Sequence, residues 1–148
     1  MTSFLKKLKG HKVALDSIVF IYAFENHPSY LSLLKPLLHE VEKGEMEAVT
    51  STLTMAECLV QPYKRKDTIL AAHYWALFRN FPHLSVLPLT EEIADRTALL
   101  RAHYHLRTPD AIQLATAFIA KCYAFLTNDV SLPPVEGIQV LVLDRLLQ

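Results

Sequence analysis

The chain alternates short, mostly apolar runs with longer segments whose apolar residues recur every three or four positions. The apolar runs lie at residues 13–15, 46–51, 84–89, 124–127 and 139–143. The helical spacing falls at residues 17–24, 30–43, 54–60, 64–81, 90–105 and 108–122. Short apolar runs are typical of strands that are buried on both faces of a parallel sheet. Their alternation with helices predicts an α/β domain with a mainly parallel sheet.

Local signals predict where several of these helices begin and end. Residues 54–57, Thr-Met-Ala-Glu, match a capping box, and Pro62 is expected to end that helix. The next helix is expected to run from Lys64 to Phe81. Thr108 followed by proline is typical of an N-cap and the first helical position, and this helix should continue to Cys122.

The composition fits a domain of this class. The 148 residues are 51% hydrophobic and 20% charged, which is enough for one sizeable core. We expect a single domain over residues 1–148, with residues 1–12 as a basic lead. Fifteen basic and fifteen acidic residues cancel, which argues against a globally basic nucleic-acid binder. Cys58 and Cys122 form no CxxC pair, which excludes a disulfide scaffold or a cysteine-rich zinc site.

The apolar run near the N-terminus does not indicate a signal peptide or a membrane anchor. Asp16 lies inside that run, and no small-x-small cleavage site follows it. No stretch reaches the roughly 18 uninterrupted apolar residues that a membrane helix requires. The sequence therefore predicts a soluble, cytoplasmic protein.

Four acidic residues fall where parallel sheets bind their ligands, at the carboxyl ends of strands and the starts of helices. Asp16 ends the first strand, and Glu57 is expected in the first turn of the helix after the second strand. Asp110 lies in the first turn of the helix that leads into the fourth strand, and Asp129 follows that strand. All four are embedded in apolar sequence, unlike the acids of polar runs such as EVEKGEME.

Taken one by one, these acids are explained as helix caps, first-turn charges or turn residues. Taken together, four carboxylates at one edge would repel and raise one another's pKa. A hard divalent cation removes that repulsion. Oxygen ligands without histidine or thiolate favour Mg²⁺ or Mn²⁺ over zinc.

The same segments resemble the PIN-domain ribonucleases, and among them the VapC-type toxins of toxin–antitoxin pairs. The resemblance rests on VALDS at 13–17, MAECL at 55–59, LRTPDAIQLATAFIA at 106–120 and LTND at 126–129. It covers nearly the whole chain and implies a five-stranded parallel sheet with helices on both sides.

The resemblance also implies roles for individual residues. The implied metal-binding quartet is Asp16, Glu57, Asp110 and Asp129, with Glu57 a direct or water-mediated ligand. Thr127 would orient a metal-bound water or a carboxylate, and Ser17 matches a small polar position. Arg107 and the basic cluster of Lys64, Arg65 and Lys66 are candidate RNA contacts, although a solvated helix face also explains the cluster.

The implied activity is endonucleolytic hydrolysis of RNA with Mg²⁺ or Mn²⁺. The implied partners are an RNA substrate, a cognate antitoxin and a second copy of the chain, with the helices at 30–43 and 64–81 as candidate dimer surfaces. Two alternatives stay open at this point. One is a PIN-like module that binds protein or RNA without cutting, and the other is a housekeeping RNA-processing nuclease without an antitoxin.

Overall fold

The computed structural model of the chain describes residues 2–147, which form five strands and eight helices. The strands are β1 (Lys12–Leu15), β2 (Glu47–Ser51), β3 (Leu84–Leu87), β4 (Ala124–Thr127) and β5 (Gln139–Val142). The helices are α1 (Ser3–Leu8), α2 (Ser17–Phe24), α3 (Leu31–Lys43), α4 (Thr52–Lys64), α5 (Thr68–Asn80), α6 (Glu91–His103), α7 (Thr108–Ile119) and α8 (Leu143–Leu146).

The five strands form one sheet in the order β3-β2-β1-β4-β5, and every neighbouring pair is parallel. The central strand β1 pairs with β2 on one side and with β4 on the other, so that Ala14 lies between Val49 and Phe125. The parallel five-stranded sheet confirms the fold class. Because all strands point the same way, their carboxyl ends lie at one edge of the sheet.

Each face of the sheet is covered by its own apolar core. Val13 and Leu15 of β1 belong to a core that includes residues of α1 to α5, whereas Ala14 belongs to a second core built with α6 and α7. Successive strand residues point to opposite faces, so both sets are buried. This arrangement confirms helices on both sides of the sheet and explains the uninterrupted apolar sequence of β1.

Helix α4 begins earlier and ends later than its sequence predicts. Ser51 is its N-cap, because the Ser51 hydroxyl accepts a hydrogen bond of 3.0 Å from the Leu53 amide. The predicted capping box at 54–57 is therefore wrong, and Thr54 is fully buried inside the helix. Pro62 does not end the helix but lies within it, near its last residue, Lys64.

Helix α5 begins at Thr68 rather than at residue 64. Asp67 caps it by accepting a hydrogen bond of 3.0 Å from the Leu70 amide. Lys66 has a φ of 54°, a left-handed conformation that interrupts helical geometry between α4 and α5. The basic residues at 64–66 therefore lie at the end of one helix and in a turn.

Helix α7 differs from its prediction at both ends. Its N-cap is Arg107, without a side-chain capping bond, so Thr108 is already helical and its prediction as the N-cap is wrong by one residue. The helix ends at Ile119 rather than Cys122, since Lys121 takes a left-handed φ of 58°. Asp110 lies in the first turn, as predicted.

The basic lead contains a helix that the sequence analysis missed. In α1, Phe4, Leu5 and Leu8 are buried in the first core, while Lys6 and Lys7 between them are exposed. The lead is thus partly core structure.

No helix between residues 2 and 147 is long and apolar enough to cross a bilayer.

Candidate active site

A cleft of about 410 Å³ lies at the carboxyl edge of the sheet. It is lined by Asp16, Ser17, Ile18, Tyr22, Glu57, Arg107, Asp110, Thr127, Asn128, Asp129 and Ser131. The structure therefore brings together all four predicted acids, together with Ser17, Arg107 and Thr127. The residues lie directly after β1, on α2 and α4, at the N-cap and in the first turn of α7, and at the end of β4 or in the loop that follows it, so elements far apart in sequence meet here.

Asp16 directly follows β1 and caps α2. Its Oδ1 accepts a hydrogen bond of 2.8 Å from the Ser17 amide, and its Oδ2 accepts one of 2.7 Å from the Thr127 hydroxyl. Burial raises the pKa of the Asp16 carboxyl, and the negative charge of Asp110 raises it further. The hydrogen bonds from Thr127 and Ser17 oppose this rise without cancelling it. Asp16 is thus fixed in orientation but short of compensating charge.

Glu57 lies on the exposed side of α4, one turn later than predicted, because α4 begins at Thr52. The pKa of the Glu57 carboxyl is raised, first by desolvation and then by the charge of Asp16, with a smaller contribution from Asp110. Asp16, Glu57 and Asp110 are therefore close enough to repel one another, as the sequence predicts for acids at one edge.

Asp110 makes an ion pair with Arg107 three residues earlier. The Arg107 Nε lies 3.1 Å from the Asp110 Oδ2, with the Asp110 side chain 15% exposed and the Arg107 side chain 78% exposed. The pKa of Arg107 is raised by the hydrogen bond and charge of Asp110, and also by the charges of Asp129 and Glu57. Arg107 is thus the counter-ion of Asp110, and its charge also acts on Asp129 and Glu57.

Asp129 is held in a tight turn after β4. Its Oδ1 accepts hydrogen bonds from the Ser131 hydroxyl at 2.6 Å and from the Ser131 amide at 2.9 Å. These bonds lower the pKa of the Asp129 carboxyl, and the charge of Arg107 acts in the same direction. The Thr127 hydroxyl, already bonded to Asp16, accepts a hydrogen bond of 3.1 Å from the Asp129 amide. Thr127 therefore connects two of the acids.

A buried polar cluster beneath the cleft was not found by sequence reasoning. The Thr50 hydroxyl lies 2.8 Å from the Leu15 carbonyl oxygen and 2.8 Å from the Thr54 hydroxyl. The Gln113 amide donates to the Thr54 hydroxyl at 2.7 Å, which ties α7 to α4. Buried polar groups with good partners fix the elements that carry them. This cluster sets the distance between the helices that bear Glu57 and Asp110.

Four further lining residues were also missed: the apolar Ile18 and the polar Tyr22, Asn128 and Ser131. Ser131 had a local signal, because a serine two residues after an aspartate is common in turns. Tyr22 and Asn128 had none, since their contacts depend on residues that are distant in the chain.

The basic cluster of Lys64, Arg65 and Lys66 is not among the residues that line the cleft. All three side chains are exposed, and Arg65 pairs with Glu25 at 3.9 Å. Of the candidate RNA contacts, the structure places Ser17 and Arg107 in the cleft and this cluster outside it.

The donor set of the cleft suits a hard divalent cation. Within residues 2–147, no three histidine, cysteine, aspartate or glutamate side chains stand close enough to form a ready-made metal cage. Mg²⁺ seldom requires one, because it keeps several of its waters and binds through one or two carboxylates together with substrate phosphates. Burial and the neighbouring carboxylates raise the pKa values of Asp16 and Glu57, and a bound cation would oppose that rise.

Comparison with known proteins identifies the fold independently. A family model described as PIN domain matches residues 13–137. None of the curated proteins searched matches the chain.

Several solved structures share this fold at low sequence identity. VapBC2 from Rickettsia felis, bound to a DNA fragment from its promoter, is 16% identical with a TM-score of 0.66, covering 87% of this chain and 96% of that one. A toxin–antitoxin complex from Klebsiella pneumoniae is 21% identical with a TM-score of 0.64, covering 88% and 97%. VapC20 from Mycobacterium tuberculosis, a sarcin-ricin loop cleaving toxin, is 12% identical with a TM-score of 0.63, covering 76% and 86%.

Proposed function

Because this chain belongs to the PIN domain family, we propose that it is a Mg²⁺- or Mn²⁺-dependent endoribonuclease and the toxin of a toxin–antitoxin pair. One observation carries the proposal. Four carboxylates line a single cleft in which Arg107 is the one cation among the described lining residues. Burial and mutual repulsion keep the pKa values of Asp16 and Glu57 raised. A fold gains no stability from such an arrangement, whereas a cation site needs it.

The residues that would hold the ion are Asp16, Asp110 and Asp129, with Glu57 bound directly or through a water. When bound, a divalent ion lowers the pKa of a water and neutralises charge that develops on the phosphate. The protein contributes orientation. The Thr127 hydroxyl holds Asp16 and the Asp129 amide together, so that these two carboxylates keep a fixed relation.

Arg107 is the residue best placed to contact a phosphate of the substrate. Its guanidinium is largely exposed, at the mouth of the cleft beside Asp110. A planar guanidinium binds phosphate oxygens in pairs. A metal on Asp110 would offset the charge that now holds Arg107, which frees the side chain for the substrate.

RNA is the proposed substrate class. Support comes from the shared fold with VapC20, which is described as a sarcin-ricin loop cleaving toxin. The balanced net charge of this chain suits an enzyme that binds its substrate at a local site rather than over a broad basic surface. The candidate contacts at Lys64, Arg65 and Lys66 stay a prediction, since they lie outside the cleft.

An antitoxin is the proposed protein partner. Structures of the same fold include toxin–antitoxin complexes from Klebsiella pneumoniae and Rickettsia felis. A short DNA-binding protein encoded immediately upstream would support this assignment, and its absence would favour the housekeeping nuclease. A cytoplasmic location follows from this role and stays a prediction.

Self-association is also proposed. A largely apolar groove of about 910 Å³ runs along α3 and is lined in part by Leu31, Pro36, Leu38 and Phe81. Further exposed apolar side chains lie on α4 and α5, among them Tyr63, Ile69 and Trp75. Exposed apolar surface of this kind often marks a protein interface.

Cleavage of a labelled structured RNA in Mn²⁺, in Mg²⁺ and in EDTA tests the proposed activity. Internal cuts are expected with either metal, none in EDTA, and none for Asp110→Asn. Asp95→Asn is the matched control, because Asp95 is an exposed aspartate of α6 outside the cleft. Metal-dependent cleavage at the wild-type rate in Asp110→Asn would contradict the assignment of Asp110 to the active site. A folded protein that binds RNA but cuts nothing would favour the non-cleaving module.

A further inference from the structure

Asn128 is enclosed in a ring of hydrogen bonds next to the cleft. Its side-chain amide donates to the Tyr30 hydroxyl at 3.0 Å. The Tyr30 hydroxyl donates in turn to the Asp144 carboxylate. The Asp144 backbone amide donates to the Asn128 Oδ1 at 3.0 Å, which closes the ring. Three residues that lie up to 114 positions apart are thus joined through one side chain.

The ring connects α8 to the loop that carries Asp129. Asp144 lies in the first turn of α8, where backbone amides have no partner within the helix. The N-cap of α8 is Val142, whose side chain makes no capping bond. Asn128 supplies the missing acceptor for the Asp144 amide, although it lies 16 positions earlier in the chain. Helix α8 is therefore anchored to the residue that lies between Thr127 and Asp129.

The Tyr30 side of the ring is rigid. Tyr30 is 9% exposed and stacks on Tyr22, with ring centroids 4.5 Å apart and an angle of 3° between the planes. Tyr22 lines the cleft, and its hydroxyl is within 3.5 Å of the Asn128 amide. The Tyr30 hydroxyl therefore presents a fixed acceptor to Asn128.

The loop from Thr127 to Asp129 is consequently held from two directions. On one side, the Thr127 hydroxyl bonds both Asp16 and the Asp129 amide. On the other side, the Asn128 side chain points away to Tyr30 and Asp144. Because Thr127 and Asn128 are both anchored, the Asp129 backbone has little freedom to turn its carboxylate out of the cleft.

We infer that Asn128, through Tyr30 and Asp144, is a positioning residue that holds Asp129 in the geometry for binding the metal ion, and that α8 is thereby part of the active site. This inference rests on the proposed function. A purely structural role would be different, because the ring would then stabilise the C-terminal helix without affecting the affinity of the cleft for an ion.

Calorimetric titration of Mn²⁺ into the full chain distinguishes the two roles. Tyr30→Phe removes the hydroxyl but keeps the aromatic side chain that stacks on Tyr22. Asn128→Ala removes the amide group that makes two of the three bonds in the hydrogen-bonded ring. Partners that orient metal ligands typically contribute about 10–100-fold in metal affinity or activity. We expect either variant to weaken Mn²⁺ binding about tenfold, with the melting temperature shifted by only a few degrees.

The double variant provides a second, independent readout. Because the ring is closed, the first substitution already opens it, and Tyr30→Phe with Asn128→Ala should bind Mn²⁺ about as weakly as either single variant. Tyr104→Phe is the matched control. It also removes a tyrosine hydroxyl that accepts one hydrogen bond, from the Glu136 amide at 3.1 Å, and should leave Mn²⁺ affinity unchanged.

The outcomes separate this inference from the function on which it rests. A lower melting temperature with wild-type Mn²⁺ affinity in both variants would overturn the positioning role and leave the nuclease proposal standing. Absence of Mn²⁺ binding in the folded wild-type protein would instead overturn the proposed function, and the positioning role with it.

Discussion

Two concave surfaces of this molecule differ in size and in chemistry. The groove along α3 has about 910 Å³ and is lined mainly by apolar side chains such as Leu31 and Phe81. The cleft at the carboxyl edge of the sheet has about 410 Å³ and is lined by four carboxylates, an arginine and several hydroxyl and amide groups. The larger surface offers area for contact, whereas the smaller one offers reactive groups.

The difference shows that the volume of a concave surface does not indicate whether its lining residues can bind an ion or take part in a reaction. The groove side chains are explained by core packing and by association, since apolar contact requires no particular charge. In the cleft, by contrast, burial and repulsion act against folding, as the raised pKa values of Asp16 and Glu57 indicate. The cleft is therefore where we expect ligand binding to stabilise the protein.

The largest expected effect comes from Asp16→Asn. This substitution removes a negative ligand while keeping its size, so RNA cleavage should fall by more than about 100-fold, beyond the roughly 10–100-fold effect of outer-shell partners. Gel analysis of labelled RNA measures it. The thermal stability should not fall, and the oligomeric state should be unchanged. Cleavage at the wild-type rate would exclude Asp16 from the site.

The converse substitution is Ser32→Arg in the groove. Ser32 is exposed and lines the groove, so the variant adds a charge without removing a core side chain. If the groove forms the proposed dimer interface, the dimer should weaken by at least about 30-fold, as for an interface centre worth roughly 2 kcal/mol or more. Sedimentation velocity measures this change. Mn²⁺ affinity should stay as in the wild type, and an unchanged dimer would exclude the groove as its interface.

Arg107→Gln should weaken RNA binding by at least about tenfold, because one hydrogen bond to a charged group contributes roughly 1.5–3 kcal/mol. Fluorescence anisotropy with Asp110→Asn as the uncut background measures the affinity. Lys64→Gln combined with Lys66→Gln is the comparison, since these side chains lie outside the cleft. A larger effect from the lysine pair than from Arg107 would place the RNA path along the turn between α4 and α5.

The smallest expected effect is the pH dependence of stability without metal. The pKa values of Asp16 and Glu57 are raised above their ordinary 3.8 and 4.5, so the folded state binds more protons than the unfolded state in this range. Stability should therefore fall as the pH rises through and above these ordinary values. The pKa of Asp129 is lowered, which affects stability only at more acidic pH. Thermal melts should show a decrease that Asp16→Asn reduces; a rise over this range would contradict the assigned charges.

The fold and the acids of the cleft were predictable because their signals are local. Asp16 directly follows β1, Asp129 lies two residues after β4, and Asp110 lies in the first turn of α7, so position along the chain already places them at one edge. Thr127 was expected only from the resemblance to the PIN-domain ribonucleases. Helix α1 was missed because lysines separate its buried residues, Leu5 and Leu8, and give the segment a basic character.

The supporting contacts of the cleft could not be predicted in this way. The hydrogen bond from Gln113 to Thr54 spans 59 positions, and the one from Asn128 to Tyr30 spans 98. Contacts of that length depend on how helices pack in three dimensions, and no local pattern encodes them. The predicted start of α4 was wrong for a related reason. Ser51 is both the last residue of β2 and the N-cap of α4, so no loop separates the strand from the helix.

The most direct test of the account is anomalous diffraction from a crystal of the protein soaked in Mn²⁺. We expect an anomalous peak in the cleft, within about 2.0–2.6 Å of carboxylate oxygens, the range for hard divalent cations. Asp16 and Asp110 should be among the ligands, and the same soak of Asp16→Asn crystals should give a weaker peak or none. A well-occupied peak elsewhere, with the cleft empty in an active protein, would contradict the account.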